Sequence, residues 1–460
     1  MKPFQHQVDT TNHILSNPRC LITNDAGTGK TRSVLDSFAK RKKGRMLVLA
    51  PLSILQASWG DDIDKFQPNL TYAIGTSSKR EKALTSESDI VLMNHDAVNW
   101  FCKKVARGRT SQIVPIVERI ALLDDFDTVC IDEFTAFKNP NSQRSKAAAF
   151  VLKEFEYRIA MSGTPNTNTI LDIWYPTKLV DDGERLGQRF SQFRGNVCTP
   201  VFNGFGHEWR DKDNAEEIVA SSINDINIRF KLEDCIDMPE QSTTLYKLDL
   251  PKDIQQMYDQ YKDEQVLMLE DGNLTSTHAG SVVKKLLQIC SGSVYNEDKK
   301  KLLVHNQRYE LVMDLVDERD VSLVAFNYKH ERDALKALMD KRKWRYEVID
   351  GDVPENKRAD IVNALQAGQL KVVLVQPASA GHGLTMTRAK TIIWTSPTYS
   401  AEHYQQFNRR IYRIGQKDRT QIIRIAARNT IEPYVYKKLD GKVERIDNLL
   451  SLLNQLRKAS

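Results

Sequence analysis

Short, nearly continuous apolar runs, each followed by a polar stretch of helical character, recur along this chain and leave few folds open to it. In the first half they fall at 20–23, 46–50, 89–93, 128–131 and 157–162, and in the second at 321–326, 346–349, 371–376, 391–395 and 421–425. Val/Ile/Leu runs without polar alternation belong to strands buried on both faces, and strands that alternate with helices pair in parallel. Two such sets predict an α/β protein of two lobes, 1–180 and 306–440, each a parallel sheet covered by helices. Residues 181–305 read as a helical insertion and connector, with helical stretches at 255–269 and 281–290 and glycine-containing loops at 203–206 and 271–273. Val443, Ile446, Leu449, Leu450, Leu453 and Leu456 share one helical face, which predicts a C-terminal bracing helix over 441–460.

The 460 residues are long enough for two or three domains, and 41% hydrophobic with 27% charged residues excludes a disordered chain. The longest apolar runs fall far short of the ~18 residues of a membrane span. The N-terminus shows no apolar secretory segment, so the expectation is an intracellular protein, not secreted and without a membrane partner. Sixty-six basic against sixty acidic residues leave +6, which permits a polyanion partner without demanding one. The six cysteines form no C-x-x-C pair, so neither a zinc site nor a disulfide framework is indicated.

Directly after the first apolar run stands Asn24-Asp25-Ala26-Gly27-Thr28-Gly29-Lys30-Thr31, and a helical stretch follows. Strand, glycine-containing loop, Lys-Thr and helix together are the context of a phosphate loop. Gly27 and Gly29 allow a tight turn whose N–H groups point at phosphate oxygens, and the helix N-terminus adds favourable dipole charge. Lys30 would reach the β- and γ-phosphates and Thr31 would place its hydroxyl on Mg²⁺. The strict pattern has Gly where this chain has Asn24, a residue that tolerates the left-handed region. The bland alternative is an accidental glycine-rich turn.

Asp132 and Glu133 close the apolar run Val129-Cys130-Ile131. Unpaired buried carboxylates are costly, so the pair makes chemical sense beside a phosphate loop. Asp132 would hold Mg²⁺ and Glu133 would orient and deprotonate an attacking water; the alternative is a solvated strand end. Near the other end of the chain, Arg410 and Arg413 are three apart, a spacing that puts both on one face if the segment is helical. They are either surface charge or groups that neutralise the γ-phosphate in the transition state, completing the site as the lobes close.

Taken in order, these segments resemble the motifs of a superfamily-two, helicase-fold ATPase, most closely the Swi/Snf-type DNA-dependent translocases. The resemblance runs from Pro3-Phe4-Gln5 through Asn24–Thr31, Leu49–Ser53, Asp132-Glu133, Ser162-Gly163-Thr164-Pro165, Val324–Asn327 and Ser379–Thr385 to Gln406–Gln416. Leu286–Gly292 and the Arg-Ile-Gly-Gln ending at Gln416 favour the Swi/Snf branch. It implies two RecA-like lobes and hydrolysis of ATP with Mg²⁺. It also implies an adenine contact from Gln5 and nucleotide contacts from Gly27, Thr28, Gly29, Lys30, Thr31 and Gly383. Nucleic acid would be gripped by Pro51, Ser53, Thr164, Asn327 and Ser379.

The function it implies is ATP-driven translocation on double-stranded DNA. The alternatives are a strand-separating or fork-remodelling helicase, on DNA or on single-stranded DNA or RNA, and a non-catalytic scaffold. Against the family pattern stand Phe134-Thr135 for Ala-His, Thr385 for Asn and Asn166-Thr167 for Leu-Gln. The connector is short for the family, and the chain looks like a bare motor. The resemblance names no protein partner.

Overall fold

The computed structural model describes residues 2–41, 43–107, 110–163, 169–202, 207–235, 239–270, 276–295, 301–303, 305–379, 384–413 and 415–440. The chain divides into two units, Met1–Asp237 and Met238–Ser460. The candidate bracing helix over 441–460, the loops 203–206 and 271–273, Thr164 and Gly383 lie outside the described residues.

The first unit is built on strands β1 (Arg19–Ile22), β2 (Arg45–Ala50), β3 (Tyr72–Ile74), β4 (Ile90–Asn94), β7 (Phe126–Asp132), β8 (Tyr157–Met161) and β11 (Asn227–Ile228). They form one sheet in the order β11-β1-β8-β7-β2-β4-β3, and every pair is parallel. Two antiparallel hairpins stand apart from it, β5 (Cys102–Arg107) with β6 (Thr110–Pro115) and β9 (Cys198–Phe202) with β10 (His207–Asp211). Alternate strand residues enter separate cores. Cys20, Ile22, Met46, Val48 and Cys130 pack with Val34, Leu35 and Phe38 of helix α2 (Lys30–Arg41). Leu21, Leu47, Leu49, Val129 and Ile131 pack with Ala147, Ala148 and Val151 of the helix Gln143–Val151. Burial on both faces is what the unbroken apolar runs require.

The second unit repeats the design with β12 (Gln241–Leu248), β15 (Ser322–Ala325), β16 (Tyr346–Ile349), β17 (Val372–Val375), β18 (Thr391–Trp394) and β19 (Thr420–Ala427). Their order is β12-β19-β18-β15-β17-β16, again all parallel. A small hairpin, β13 (Ser293–Tyr295) with β14 (Lys301–Leu303), accompanies them. At the centre of this unit Arg308 donates to Glu432 at 2.6 Å, both side chains fully buried. The same guanidinium donates to the carbonyls of Thr395 and Cys290 at 2.6 and 2.9 Å, so one ion pair ties two helices to a strand end.

All the strands expected from the apolar runs are present, with ends displaced by up to two residues. The segment 181–305 holds the expected helices, Lys252–Glu270 and Ser276–Cys290, and also β9 to β14, which the sequence reading does not place. The physical reason is position. β12 is an edge strand whose exposed and half-buried residues alternate through Ser, Thr and Lys, so it carries no continuous apolar run.

Candidate active site

In the first unit, strand register brings the phosphate loop and the acidic pair to one line. Ile22 of β1 pairs with Met161 of β8, and Met161 pairs with Asp132 of β7. The turns that leave these three carboxyl ends therefore start side by side, about 4.8 Å apart per strand. One is the phosphate loop, one is Ser162-Gly163 and one is Asp132-Glu133.

The loop is a built object. Gly27 and Gly29 have φ of 88° and 81°, the left-handed region the turn demands. The Thr28 hydroxyl donates to the Asp25 carbonyl at 2.8 Å, and Lys30 Nζ donates to the carbonyls of Asn24 and Asp25 at 3.0 and 3.2 Å. Lys30 begins α2, so the helix N-terminus stands directly behind the loop. Thr31 is half-buried on its first turn.

Asn24 corrects the sequence reading: it has no positive φ, so tolerance of the left-handed region is not what admits it. Its buried amide donates to Thr10 Oγ1 at 3.0 Å and accepts from the Phe230 N–H at 2.9 Å. The Asp25 N–H donates to the Phe230 carbonyl at 2.9 Å. A segment two hundred residues downstream, continuing β11, thus braces the start of the loop.

The glutamine expectation meets a different residue as well. Gln5 is exposed at the start of helix α1 (Gln5–Ser16), and its amide is donated to Asp9 at 2.8 Å. Gln7, two residues on, is buried and donates to the Thr28 carbonyl at 3.1 Å, while His6 donates to the same oxygen at 2.9 Å. A Cβ on Gly29 would lie 2.2 Å from the Gln7 amide nitrogen. His6 and Gln7 are therefore the α1 side chains that touch the glycine turn of the loop, as Thr10 touches its start. The clue open to sequence reading is a second Gln two residues after the first.

Asp132 is buried, and its Oδ2 accepts from Trp59 Nε1 at 3.0 Å. Burial first, then the neighbouring Glu133 charge, push its carboxyl up to about 7; the Trp59 hydrogen bond and Lys30 act in the other direction. Its backbone carbonyl accepts from His95 Nε2 at 2.7 Å. Glu133 sits at φ 53°, ψ 61°, the left-handed region rarely used by a residue with a side chain. The Ser162 hydroxyl donates to Glu133 Oε2 at 2.8 Å. A Cβ on Gly163 would come within 3.0 Å of the Ala26 nitrogen, so the Ser162-Gly163 turn packs on the phosphate loop. Trp59 is fully buried core.

The donor set fits magnesium. A threonine hydroxyl and a carboxylate whose charge is poorly stabilised are hard oxygen ligands. Among the described residues no group of three or more His, Cys, Asp or Glu could hold a metal ion. Thr31 and Asp132 would hold Mg²⁺, with phosphate oxygens and water completing its shell.

In the second unit the helix Ala401–Asn408 ends before the arginine pair, so Arg410 and Arg413 do not share a helix face as the spacing suggests. They converge through a turn instead: both donate to the Leu384 carbonyl, at 3.3 and 3.4 Å. Gln416 anchors that turn by donating to the carbonyls of Thr387 and Ile411 at 3.0 and 3.1 Å. Arg424, a basic residue near this motif, is core: it donates to the Tyr404 hydroxyl and Asp440, each at 2.8 Å.

Of the residues expected to grip nucleic acid, Pro51, Ser53, Asn327 and Ser379 are described, and each is half-buried in a segment that follows a strand. Pro51 carries no N–H, so its turn offers the N–H groups of Leu52 and Ser53 and the Ser53 hydroxyl. Asn327 donates its amide to the carbonyl and hydroxyl oxygens of Ser396 at 2.9 and 3.0 Å, and Ser379 donates to Gln376 Oε1 at 3.1 Å. Asn327 and Ser379 thus already use their side chains to hold the second unit together. No described helix is long and apolar enough to cross a membrane.

Comparison with known proteins bears on the family. A model of the SNF2-related domain matches residues 12–299, and one of the helicase conserved C-terminal domain matches 307–415. A "putative protein p41" of Acyrthosiphon pisum secondary endosymbiont phage 1 is 24% identical, covering 99% of this chain and 98% of its own. An uncharacterized ATP-dependent helicase of Mycoplasma genitalium is 23% identical over 94% of this chain, and the human DNA annealing helicase and endonuclease ZRANB3 is 21% identical over 93%. This chain spans only 40% and 38% of those two relatives. The Sulfolobus solfataricus SWI2/SNF2 ATPase core in complex with dsDNA is 20% identical with a TM-score of 0.43, covering 100% of this chain and 97% of its own. The SNF2-related model alone spans more than half of the sequence, and the chain belongs to the SNF2-related family of helicase-like ATPases.

Proposed function

We propose that this protein is an ATP-dependent translocase on double-stranded DNA. The observation that carries the reading is Glu133, held in a strained conformation beside the phosphate loop with the Ser162 hydroxyl on its carboxylate. A strained acid over-determined by its surroundings is a device for chemistry and not for packing. Gly27, Thr28, Gly29, Lys30 and Thr31 bind the triphosphate, and Glu133 takes the proton of the attacking water. Magnesium held at Thr31 and Asp132 would neutralise charge on the β- and γ-phosphates. Arg410 and Arg413, paired through Leu384, carry the transition-state charge on the γ-phosphate. In the first unit the turn at Pro51 and Ser53 offers N–H groups and a hydroxyl suited to phosphate oxygens, which position without reading sequence; Thr164, Asn327 and Ser379 are the further contacts that the resemblance implies.

The test is one ATPase panel with duplex DNA, single-stranded DNA, RNA and forked DNA as activators. Turnover should rise most with duplex DNA. Glu133→Gln should fall ~10²–10⁴-fold while still binding nucleotide. Equal turnover with and without nucleic acid refutes the reading. Robust strand displacement on the fork replaces translocation by helicase action, the activity for which several relatives are named.

A further inference from the structure

The hairpin β5–β6 is absorbed neither by the fold nor by the nucleotide site. It leaves the carboxyl end of β4 through a 3₁₀ turn, His95–Phe101, and pairs Cys102 with Pro115 through to Arg107 with Thr110. Its base is anchored, because Cys102 and Ile113 belong to the first unit's core. Beyond the base it opens to solvent: Lys103, Lys104, Val105, Ala106, Ser111 and Gln112 are all exposed. Successive strand residues face opposite sides, so this is a ribbon wet on both faces over most of its length.

Such a ribbon gains little from burial and is marginal by itself. Its charge is one-sided. Lys103, Lys104 and Arg107 fall on the hairpin, and no Asp or Glu occurs between Asp96 and Glu118. The helix Gln143–Val151, which packs against β6, adds an exposed Lys146 and carries no acid, while its Arg144 is paired with Asp96 at 2.8 Å. The chain as a whole is nearly balanced, at 66 basic to 60 acidic residues, so a purely basic projection is a local feature.

We infer that the β5–β6 hairpin is an accessory grip on the phosphate backbone of duplex DNA, with Lys103 and Lys104 as contact residues. This rests on the reading of the protein as a motor on duplex DNA. Lysines on a flexible stem meet phosphates as point charges and carry no base specificity, which suits a protein that must move along any sequence.

The experiment measures binding of the full chain to a labelled duplex between 50 and 200 mM salt. Wild type is compared with Lys103→Gln/Lys104→Gln and with the charge-reversing Lys103→Glu/Lys104→Glu, and melting temperatures verify that both fold. Each lost phosphate contact lowers the salt slope by about 0.9, so the Gln pair should flatten it by up to roughly 2 and shrink its deficit about tenfold across that range. ATPase without DNA should be unchanged, and half-maximal stimulation should need more DNA at the same maximal rate.

Unchanged slope and affinity in both variants overturn the inference, and if hydrolysis is still DNA-stimulated the motor reading survives. Duplex binding that is lost in the variants, in a protein whose hydrolysis ignores DNA, supports the hairpin and refutes the motor. Variants that self-associate at unchanged DNA affinity overturn it too, because the lysines then serve only to keep an open strand edge from pairing.

Discussion

Asp132→Asn tests the electrostatics of the nucleotide site without any ligand. In the folded chain, burial and Glu133 raise the Asp132 carboxyl to about 7, whereas an unfolded Asp ionises near 3.9. Between those values the native protein holds a proton that the unfolded chain has released. Stability therefore falls as pH rises through that window and levels off above it. Three pH units at about 1.36 kcal/mol each bound the cost at roughly 4 kcal/mol at pH 8, against about 1–2 kcal/mol at pH 5. Asparagine escapes this cost and, like the protonated acid, offers Trp59 a neutral acceptor. The variant should thus be up to about 4 kcal/mol more stable than wild type at pH 8 and about 1–2 kcal/mol more stable at pH 5. Urea unfolding at the two pH values measures this, read from the transition the substitution moves, because the two units can unfold separately. Magnesium with ATP should stabilise wild type more than the variant. A stability difference that is the same at both pH values, or a wild type that is the more stable at pH 8, refutes the picture of a strained carboxylate waiting for a cation.

Ser162→Ala removes the hydroxyl from the Glu133 carboxylate, and a hydrogen bond to a charged group is worth about 1.5–3 kcal/mol. Steady-state kinetics should show kcat down roughly 10- to 100-fold with KM little changed; a pure KM effect would move Ser162 to nucleotide binding. Gly29→Ala puts a methyl group into the Gln7 amide at φ 81°, so nucleotide affinity should collapse. Adding Gln7→Ala should recover part of it in a titration, since it clears the clash but not the dihedral. Arg308→Met leaves Glu432 buried without its guanidinium and should cost about 3–5 kcal/mol by denaturant unfolding, while Arg308→Met/Glu432→Leu should cost less than the single change.

The loop, the acidic pair and the arginines were legible because each is local: a strand end, a short spacing, a run of residue types. The departures are all long-range. Asn24 reads as a compromised glycine until Thr10 and Phe230 are seen to hold its side chain. Gln5 reads as the useful amide, yet the helix start turns it to solvent and presents Gln7 to the loop. The burial of Arg424 is long-range in the same way, since only tertiary packing supplies Tyr404 and Asp440.

From the order of residues alone came two parallel α/β sheets and a phosphate loop facing an acidic strand end, since buried strands must be apolar and phosphate-binding turns must contain glycine. The three-dimensional arrangement alone decided which side chains hold that chemistry in place. Register set Met161 between Ile22 and Asp132, which put Ser162 on Glu133 and Gly163 on the loop. Hydrogen bonds act over about 3 Å, and which residues separated by a hundred or more positions come that close is settled by strand order and packing, which no local pattern records.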